Sequence, residues 1–272
     1  MIRFEAVETY GWEAAVRGMR NPKNSWNKSD SVFSFLDGHP HLGPNDKKLM
    51  ATLRKAGTDH RKFLRMIVVS LDITAPLYWW AEFDTYKVGT VRNSCSKMHK
   101  LLEKPFEMND FSFDKLPGYR NEVKQFPPEA DEETEVWCEC VIDKGYHVSD
   151  CGRIRHNMRV LSGSLHQDGY AEKVNLYEEV ARPWIDVLNE LRDSYMRCLE
   201  EGVKKEIWYA ILQLLPESYN QLATVMLNYE VLANIYKSRR NHKLDEWHAF
   251  CDWIETLPYS WLITGKEASG DE

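Results

Sequence analysis

The chain has 272 residues, of which 43% are hydrophobic and 28% charged, a globular composition that excludes bulk disorder. Its 35 lysines and arginines face 42 aspartates and glutamates, so the net charge is −7 and any nucleic-acid contact requires a local basic patch. No apolar run approaches the ~20 residues of a membrane span, and the N-terminus lacks a signal peptide's apolar core. We therefore expect a cytoplasmic protein with no membrane partner, and its six scattered cysteines favour reduced thiols.

Short strands and helices alternate over the first hundred residues. Apolar and polar residues alternate over 2–8, which predicts a half-buried strand. Residues 22–48 are rich in Asn, Pro, Ser, Gly and Asp, a composition typical of loops. A stripe of Leu and Met over 45–57 predicts a helix, and β-branched residues over 61–76 predict the strongest strand. A further helix is predicted to open in 77–91.

The second half of the chain changes in character. Residues 103–135 are rich in proline and acidic residues, which predicts a connection without regular structure. Short strands with tight turns are predicted over 136–177. Helices are predicted over 182–257, one of them covering 218–241. The sequence therefore predicts an α+β fold in which a small β-rich piece interrupts a larger domain.

Residues 60–100 resemble the core of flavin-dependent thymidylate synthases. In that family an apolar strand ends in Ala-Pro, and a helix carries an Arg-His-Arg…Ser…Asn-Glu…Ser…Arg-Tyr signature. Here the strand ends in Ala75-Pro76, and ungapped alignment on this pair places His60 on the conserved histidine beside the flavin. Pro216 matches the proline ahead of the family's long C-terminal helix.

The resemblance implies a thymidylate-synthase-complementing-protein-like α/β core with long C-terminal helices. It implies reductive C5-methylation of a uridine monophosphate nucleotide by a homotetramer, with FAD as cofactor and with reduced folate and NADPH as co-substrates. Arg239 aligns with the arginine that binds and polarises the nucleotide, and is the predicted catalytic residue. The predicted cofactor-binding residues are His60, Asn234 and Lys87, and the predicted substrate-binding residues are Lys97, Asn228, Arg92 and Ser96.

The signature segment departs from the family at most of its charged positions. Thr85, Tyr86 and Lys87 stand where the family has Arg-His-Arg, and Arg92-Asn93 stand where it has Asn-Glu. Lysine holds phosphate as a point charge, but it lacks the bidentate fork of arginine. The alternative interpretation is therefore a catalytically inactive scaffold that binds nucleotide or DNA.

The aromatic residues, Cys95 and the histidine pairs are not predicted to take part in catalysis or ligand binding. The aromatic group Tyr78, Trp79, Trp80 and Phe83 is predicted to lie in the core rather than to stack on a flavin. Cys95 has no His–Asp partner that would activate a nucleophile. The histidine pairs lack carboxylates or thiols at metal-ligand spacing, so no metal site is predicted.

A second resemblance lies within 136–177. This stretch is similar to the NUMOD-type DNA-binding motif found beside HNH and other homing nucleases. The matching residues, in order, are Trp137, Gly145, Tyr146, Val148, Ser149, Gly152, Arg153, Ile154, Arg155, Leu161, Asp168, Gly169 and Tyr170. No HNH or GIY-YIG nuclease residues accompany them, so no DNA cleavage is predicted.

The basic residues of this stretch predict its role. Gly152 permits a turn that presents Arg153 and Arg155, which are the predicted DNA-binding residues of the 136–176 segment. The alternative is a small β insertion whose cations are only solvated. The predicted domains are a discontinuous synthase-like domain and an inserted linker with its β-rich module; their bounds are 1–120 with 177–272, and 121–176.

Overall fold

A computed structural model gives the structure of residues 2–33, 40–97, 100–113 and 180–266, and the backbone of 118–123, 138–142, 146–148 and 174–175. Helices and sheets both occur, which confirms the predicted α+β class. The chain divides into two compact units, Met1–Lys100 with Tyr219–Glu272, and Leu101–Ser218. In these described ranges no helix combines the length and apolarity that crossing a membrane requires.

The elements are numbered in chain order. The strands are β1 (Arg3–Tyr10), β2 (Val32–Phe33), β3 (Pro40–His41), β4 (Val68–Pro76), β5 (Thr90–Ser94), β6 (Gly118–Val123), β7 (Cys138–Ile142), β8 (Tyr146–Val148), β9 (Val174–Asn175) and β10 (Asn220–Asn228). The helices are α1 (Trp12–Arg20), α2 (Pro44–Lys55), α3 (Leu77–Phe83), α4 (Arg182–Arg197), α5 (Glu201–Leu214), α6 (Tyr229–Arg239), α7 (Asp245–Glu255) and α8 (Trp261–Thr264).

A four-stranded antiparallel sheet of order β1-β4-β10-β5 forms the centre of the first unit. One face of β4 and β10 is buried, as the alternating exposure of β10 shows. That face contributes Ile73 and Val225 to a core completed by the helices of the unit. The sheet therefore fixes the positions at which α3 and α6 leave it.

Strand β10 is where the predicted helix over 218–241 is wrong. Its residues alternate between buried and exposed positions, with Val225 buried and Met226 exposed. Because both faces of the strand carry apolar residues, the sequence shows no polar alternation to separate strand from helix. Helix α6 starts only after Asn228, whose side-chain oxygen accepts a hydrogen bond from the Val231 backbone N–H at 3.0 Å, as an N-cap residue does.

The predicted strand over 61–76 and the helix opening at 77 are shorter in the structure. Residues Lys62–Arg65 form a 3₁₀ turn, and the strand starts only at Val68. Helix α3 ends at Phe83, and the chain returns to the sheet as β5. Gly89 makes the return possible: its φ is +79°, and a Cβ there would lie 2.9 Å from the Asn228 amide nitrogen. The strand predicted over 2–8 and the helix predicted over 45–57 are confirmed as β1 and α2.

Aromatic rings fill the core between α3 and α7. Trp79, Trp80 and Phe83 are each at most 1% exposed, which confirms their prediction as core residues. The ring centroids of Trp79 and Trp247 are 4.9 Å apart. Tyr78 is half-buried, and its hydroxyl donates a hydrogen bond to Glu246. This packing anchors α3 and leaves its polar residues at the rim of the core.

The second unit contains α4 and α5 together with an antiparallel sheet of order β8-β7-β6-β9. The Asn189 side chain holds a neighbouring loop by accepting from the Phe106 backbone N–H at 2.7 Å and donating to its carbonyl at 2.9 Å. Strands β7, β8 and β9 fall within the predicted β-rich segment. Arg153 and Arg155 lie outside the described residues, so the module and the domain bounds stay predictions.

Candidate functional site

The predicted catalytic residue Arg239 lies in the last turn of α6, facing α3. Its Nη1 donates a hydrogen bond to Oε2 of Glu82 at 2.5 Å. The same carboxylate oxygen accepts from Trp247 Nε1 at 3.0 Å and lies 3.4 Å from Nε2 of His242. Because charge-assisted hydrogen bonds are the strong ones, Glu82 fixes the position of the Arg239 guanidinium.

Two aromatic rings complete the surroundings of that guanidinium. Its carbon lies 4.7 Å from the centroid of Trp247 and 5.6 Å from that of Tyr86. The Tyr86 hydroxyl oxygen accepts a hydrogen bond from Arg239 Nε at 2.8 Å. We call these residues the Arg239 cluster: Glu82, Tyr86, Arg239, His242 and Trp247.

The Arg239 guanidinium keeps donor capacity that the cluster does not use. The Arg239 side chain is 17% exposed, and within the described part of the chain its Nη2 has no hydrogen-bond partner. A guanidinium N–H held at the protein surface suits a carbonyl or phosphate oxygen of a ligand. The carboxylate of Glu82 offsets the positive charge, however, so this donor acts mainly through its direction rather than through net charge.

Arg92, predicted to bind substrate, uses its guanidinium within the protein. It lies on β5 opposite Val225, and its carbon lies 3.9 Å from the centroid of the Trp80 ring. Nη1 donates to Asp84 at 2.6 Å and Nη2 donates to the Gln221 side-chain oxygen at 2.7 Å. Its Nε is buried without a hydrogen-bond partner in the described structure. The fork predicted to bind phosphate therefore already holds β5 against α3 and β10.

A third polar group surrounds Asn234, which was predicted to bind cofactor. Arg61 donates to Oε1 of Glu230 at 3.1 Å and to the Asn234 side-chain oxygen at 3.4 Å. Only 7% of the Glu230 side chain is exposed, and its Oε2 has no hydrogen-bond partner in the described structure. Sequence reasoning missed both Arg61 and Glu230. The one available signal was that Arg61 follows His60 directly.

The remaining predicted residues are less constrained. His60 is exposed in the turn before the 3₁₀ helix, and its backbone N–H donates to the Gly57 carbonyl at 3.1 Å. Lys87 is exposed, and Lys97 and Ser96 are half-buried beyond the end of β5. Asn228 is the N-cap residue of α6 and so lies just outside the helix. The structure thus links Asn234 to Arg61, which directly follows His60 in the sequence. Arg239 lies at the C-terminal end of α6, away from this contact.

In the described residues, no three His, Cys, Asp or Glu side chains lie close enough together to hold a metal ion. Cys95 is exposed and Cys251 is buried, and both are free thiols.

Comparison with known proteins identifies the fold. No protein-family model matches the sequence, and no curated protein matches it significantly. The structure is similar to flavin dependent thymidylate synthase ThyX from Helicobacter pylori complexed with FAD and dUMP, with a TM-score of 0.53 and 18% identity over 95% of this chain and 98% of that chain. A second ThyX structure from Helicobacter pylori, with FAD and dUMP, gives a TM-score of 0.54 and 17% identity over 97% of this chain and 98% of that chain.

A UMP/dUMP methylase, PolB from Streptomyces cacaoi bound with 5-Br dUMP, is similar at a TM-score of 0.49 and 15% identity, over 94% of this chain and 89% of that chain. The two ThyX structures, at scores above one half, establish the class of fold. This chain has the fold of the flavin-dependent thymidylate synthases.

Proposed function

We propose that this protein binds a uridine monophosphate nucleotide and a flavin, and that it methylates the nucleotide reductively at C5. The observation that carries the proposal is the Arg239 cluster on a ThyX-like fold, which holds a guanidinium N–H in a fixed direction and without a partner in the described structure. The ThyX from Helicobacter pylori was crystallised with FAD and dUMP, which are the two ligands proposed here.

Arg239 is the residue proposed to act on the pyrimidine. Its Nη2 would donate to a carbonyl oxygen of the base and so polarise the pyrimidine, which is the role that the resemblance implies for this arginine. Lys97, Ser96, Asn228 and Arg92 are proposed to bind the rest of the nucleotide. Arg92 can do so only through its remaining donor capacity, since Asp84 and Gln221 already use both of its Nη atoms.

The proposed flavin-binding residues suit a polar cofactor. Asn234 is exposed, so its amide nitrogen is accessible, and Arg61 holds its oxygen. His60 and Lys87 are exposed and add a ring and a cation. Glu230 lies one helical turn from Asn234, and its buried Oε2, which has no partner in the described structure, suits a ligand N–H group. Bound FAD would supply hydride chemistry, and reduced folate and NADPH would be the co-substrates.

The test is a binding and turnover experiment on the full-length protein. Titration with FAD, with and without uridylate, should show the visible absorption of a bound flavin. Uridylate, NADPH and a reduced-folate one-carbon donor should then give methylated nucleotide. Arg239→Lys keeps the charge but loses the planar fork, so product formation should fall while flavin binding persists. A protein that binds neither flavin nor uridylate would contradict the proposal.

A second candidate function is favoured by one observation. Glu82 engages Arg239, and Asp84 with Gln221 engages Arg92, so both candidate arginines stabilise the fold itself. We therefore also propose, as the alternative, a scaffold that binds nucleotide or DNA without catalysis. Uridylate binding without flavin binding or turnover would select this alternative.

The predictions for the inserted segment and for assembly remain proposals. Deletion of 136–176, with a flexible linker in its place, should leave the rest of the chain folded if the segment is a module. Arg153→Ala with Arg155→Ala should remove salt-dependent DNA retention if the module binds DNA. Light scattering should show a homotetramer, and a strict monomer at micromolar concentration would contradict the assembly.

A further inference from the structure

A cavity in the first unit is lined by several basic residues. It has a volume of about 300 Å³ and lies between α2 and the end of α8. The residues that line it are Lys47, Lys48, Ala51, Arg54, Lys55, Trp261, Gly265 and Lys266. Five of these eight side chains are cationic and none is acidic, in a protein whose net charge is −7. The residues around the cavity are therefore more basic than the protein as a whole.

Helical spacing brings the cations of α2 to one wall. Lys48 and Lys55 are seven residues apart, and Ala51 between them leaves open space. The helix dipole favours cations in the last turn, which accounts for Arg54 and Lys55. Lys48 lies beyond the first turn, where a cation gains nothing from the dipole. Helix stability therefore does not explain the whole set.

The opposite wall is held in place by Arg54. Its Nε donates to the Leu262 carbonyl at 2.7 Å and its Nη2 donates to the Ile263 carbonyl at 3.0 Å, at the end of α8. Gly265 has a φ of +77°, and a Cβ there would lie 2.5 Å from Arg54 Nη2, so only glycine permits this close approach. Burial and then the charge of Arg61 lower the pKa of Arg54. No carboxylate in the described structure neutralises its guanidinium.

Two lysines of the cavity lining offer their ammonium groups to a ligand. Lys48 and Lys55 are exposed and have no partner in the described ranges. Lys266 pairs with Glu255 at 2.6 Å. Trp261 is half-buried and adds an aromatic surface to the same cavity. The cavity thus combines surplus cations with one large aromatic ring.

We propose that this cavity binds a small phosphorylated ligand with a planar ring, of the nucleoside diphosphate class. Lysine ammonium groups bind phosphate oxygens as point charges, and an indole ring stacks on a planar base. The volume is at the lower end of the range for small-molecule sites. The cavity shares no residue with the Arg239 cluster, so this proposal is independent of the proposed methylation.

Calorimetric titration of the full-length protein with ADP, pyrophosphate and adenosine tests the proposal. ADP should bind at least tenfold more tightly than either pyrophosphate or adenosine, because only ADP uses both the lysines and Trp261. Lys48→Glu with Lys55→Glu should weaken ADP binding at least tenfold. Lys23→Glu with Lys28→Glu changes the net charge equally at exposed positions outside the cavity, and should leave ADP affinity unchanged.

Trp261 supplies the second arm of the test. Trp261→Leu should lower ADP affinity to that of pyrophosphate, and Trp261→Phe should restore it in part because a ring remains. The proposal is overturned if ADP gives no binding heat, if ADP binds no more tightly than pyrophosphate, or if the two lysine pairs have equal effects. A single-stranded oligonucleotide that binds more tightly than ADP, and depends on Lys48 and Lys55, would overturn the assignment to a small ligand.

Discussion

Arg239 and Glu82, 157 positions apart in sequence, are joined by a hydrogen bond of 2.5 Å between α6 and α3. The contact gives Arg239 two roles. It holds the end of α6 against the aromatic core, and it leaves the remaining guanidinium nitrogen, which has no partner in the described structure, as the candidate donor. Glu82 accordingly controls how much positive charge a ligand meets at this site.

Replacement of Glu82 tests that control. Glu82→Gln keeps an oxygen that can accept from Trp247 and Arg239, but it removes the negative charge. The Glu82 carboxylate repels an anionic nucleotide, and at the effective dielectric constant of a half-buried site this repulsion costs about 1–2 kcal/mol. Because Glu82→Gln removes the repulsion, uridylate should bind roughly tenfold more tightly. Isothermal titration measures this. Glu13→Gln, at an exposed carboxylate of α1, is the matched control, and equal affinities for both variants would contradict the role of Glu82.

Removal of the Arg239 side chain should affect binding and stability together. Arg239→Ala should weaken uridylate binding by roughly 2–5 kcal/mol if the guanidinium and the nucleotide form a desolvated charge pair. Arg239 is paired with Glu82 and stacked on Trp247, so the free energy of unfolding should also fall, by about 1–3 kcal/mol. Titration and denaturant unfolding measure the two effects.

The neighbour Arg240 is the control for this prediction. Its guanidinium contacts Asp252 and Glu255 at an exposed surface of the same unit. Exposed ion pairs contribute about 0–1 kcal/mol, so Arg240→Ala should leave uridylate binding unchanged and lower stability only slightly. Equal effects of the two substitutions on uridylate binding would remove the main reason to consider Arg239 a nucleotide ligand.

The sequence predicted the fold better than it predicted the site. β4, α2 and the buried aromatics follow local patterns that are visible in the chain, and the structure confirms them. β10 does not, because apolar residues on both of its faces conceal the two-residue period. The partners of Arg92 and Arg239 were also not predictable, since Gln221 and Glu82 reach them through tertiary packing over more than a hundred positions.

The free thiols should differ sharply in reactivity. Cys251 is fully buried, and burial raises the pKa of its thiol to about 11, whereas Cys95 is exposed at the end of β5. Only the thiolate reacts, so iodoacetamide at about pH 8 should label Cys95 in the native protein and leave Cys251 unlabelled until the protein unfolds. Mass spectrometry of the labelled peptides checks this. Equal labelling of both residues under native conditions would show that the core around α7 opens readily.

The buried ion pair between Arg20 and Asp46 should make stability depend on acid pH. Arg20 is 4% exposed and Asp46 is fully buried, and Arg20 Nε donates to Asp46 Oδ1 at 2.6 Å. Burial acts to raise the pKa of Asp46, but hydrogen bonds from Ser31, Ser29 and Arg20, with the charge of Arg20, outweigh it and lower that pKa. The stabilisation is therefore present above the unfolded-state pKa of about 4, and it is lost as the pH falls through the lower folded-state value.

Asp46→Asn should remove this contribution and leave the Arg20 guanidinium buried beside a neutral group. The unfolding free energy at neutral pH should fall by roughly 3–5 kcal/mol, because the remaining charge has lost its partner. The difference from the wild type should shrink as the pH falls below about 4, and it should vanish below the lower folded-state pKa of Asp46, where the native protein also loses the pair. Denaturant unfolding from neutral to acid pH measures both. Asp59→Asn, at an exposed turn position, is the control, and a loss of stability for Asp46→Asn that is the same at every pH would show that hydrogen-bond geometry, rather than the Asp46 charge, stabilises this region.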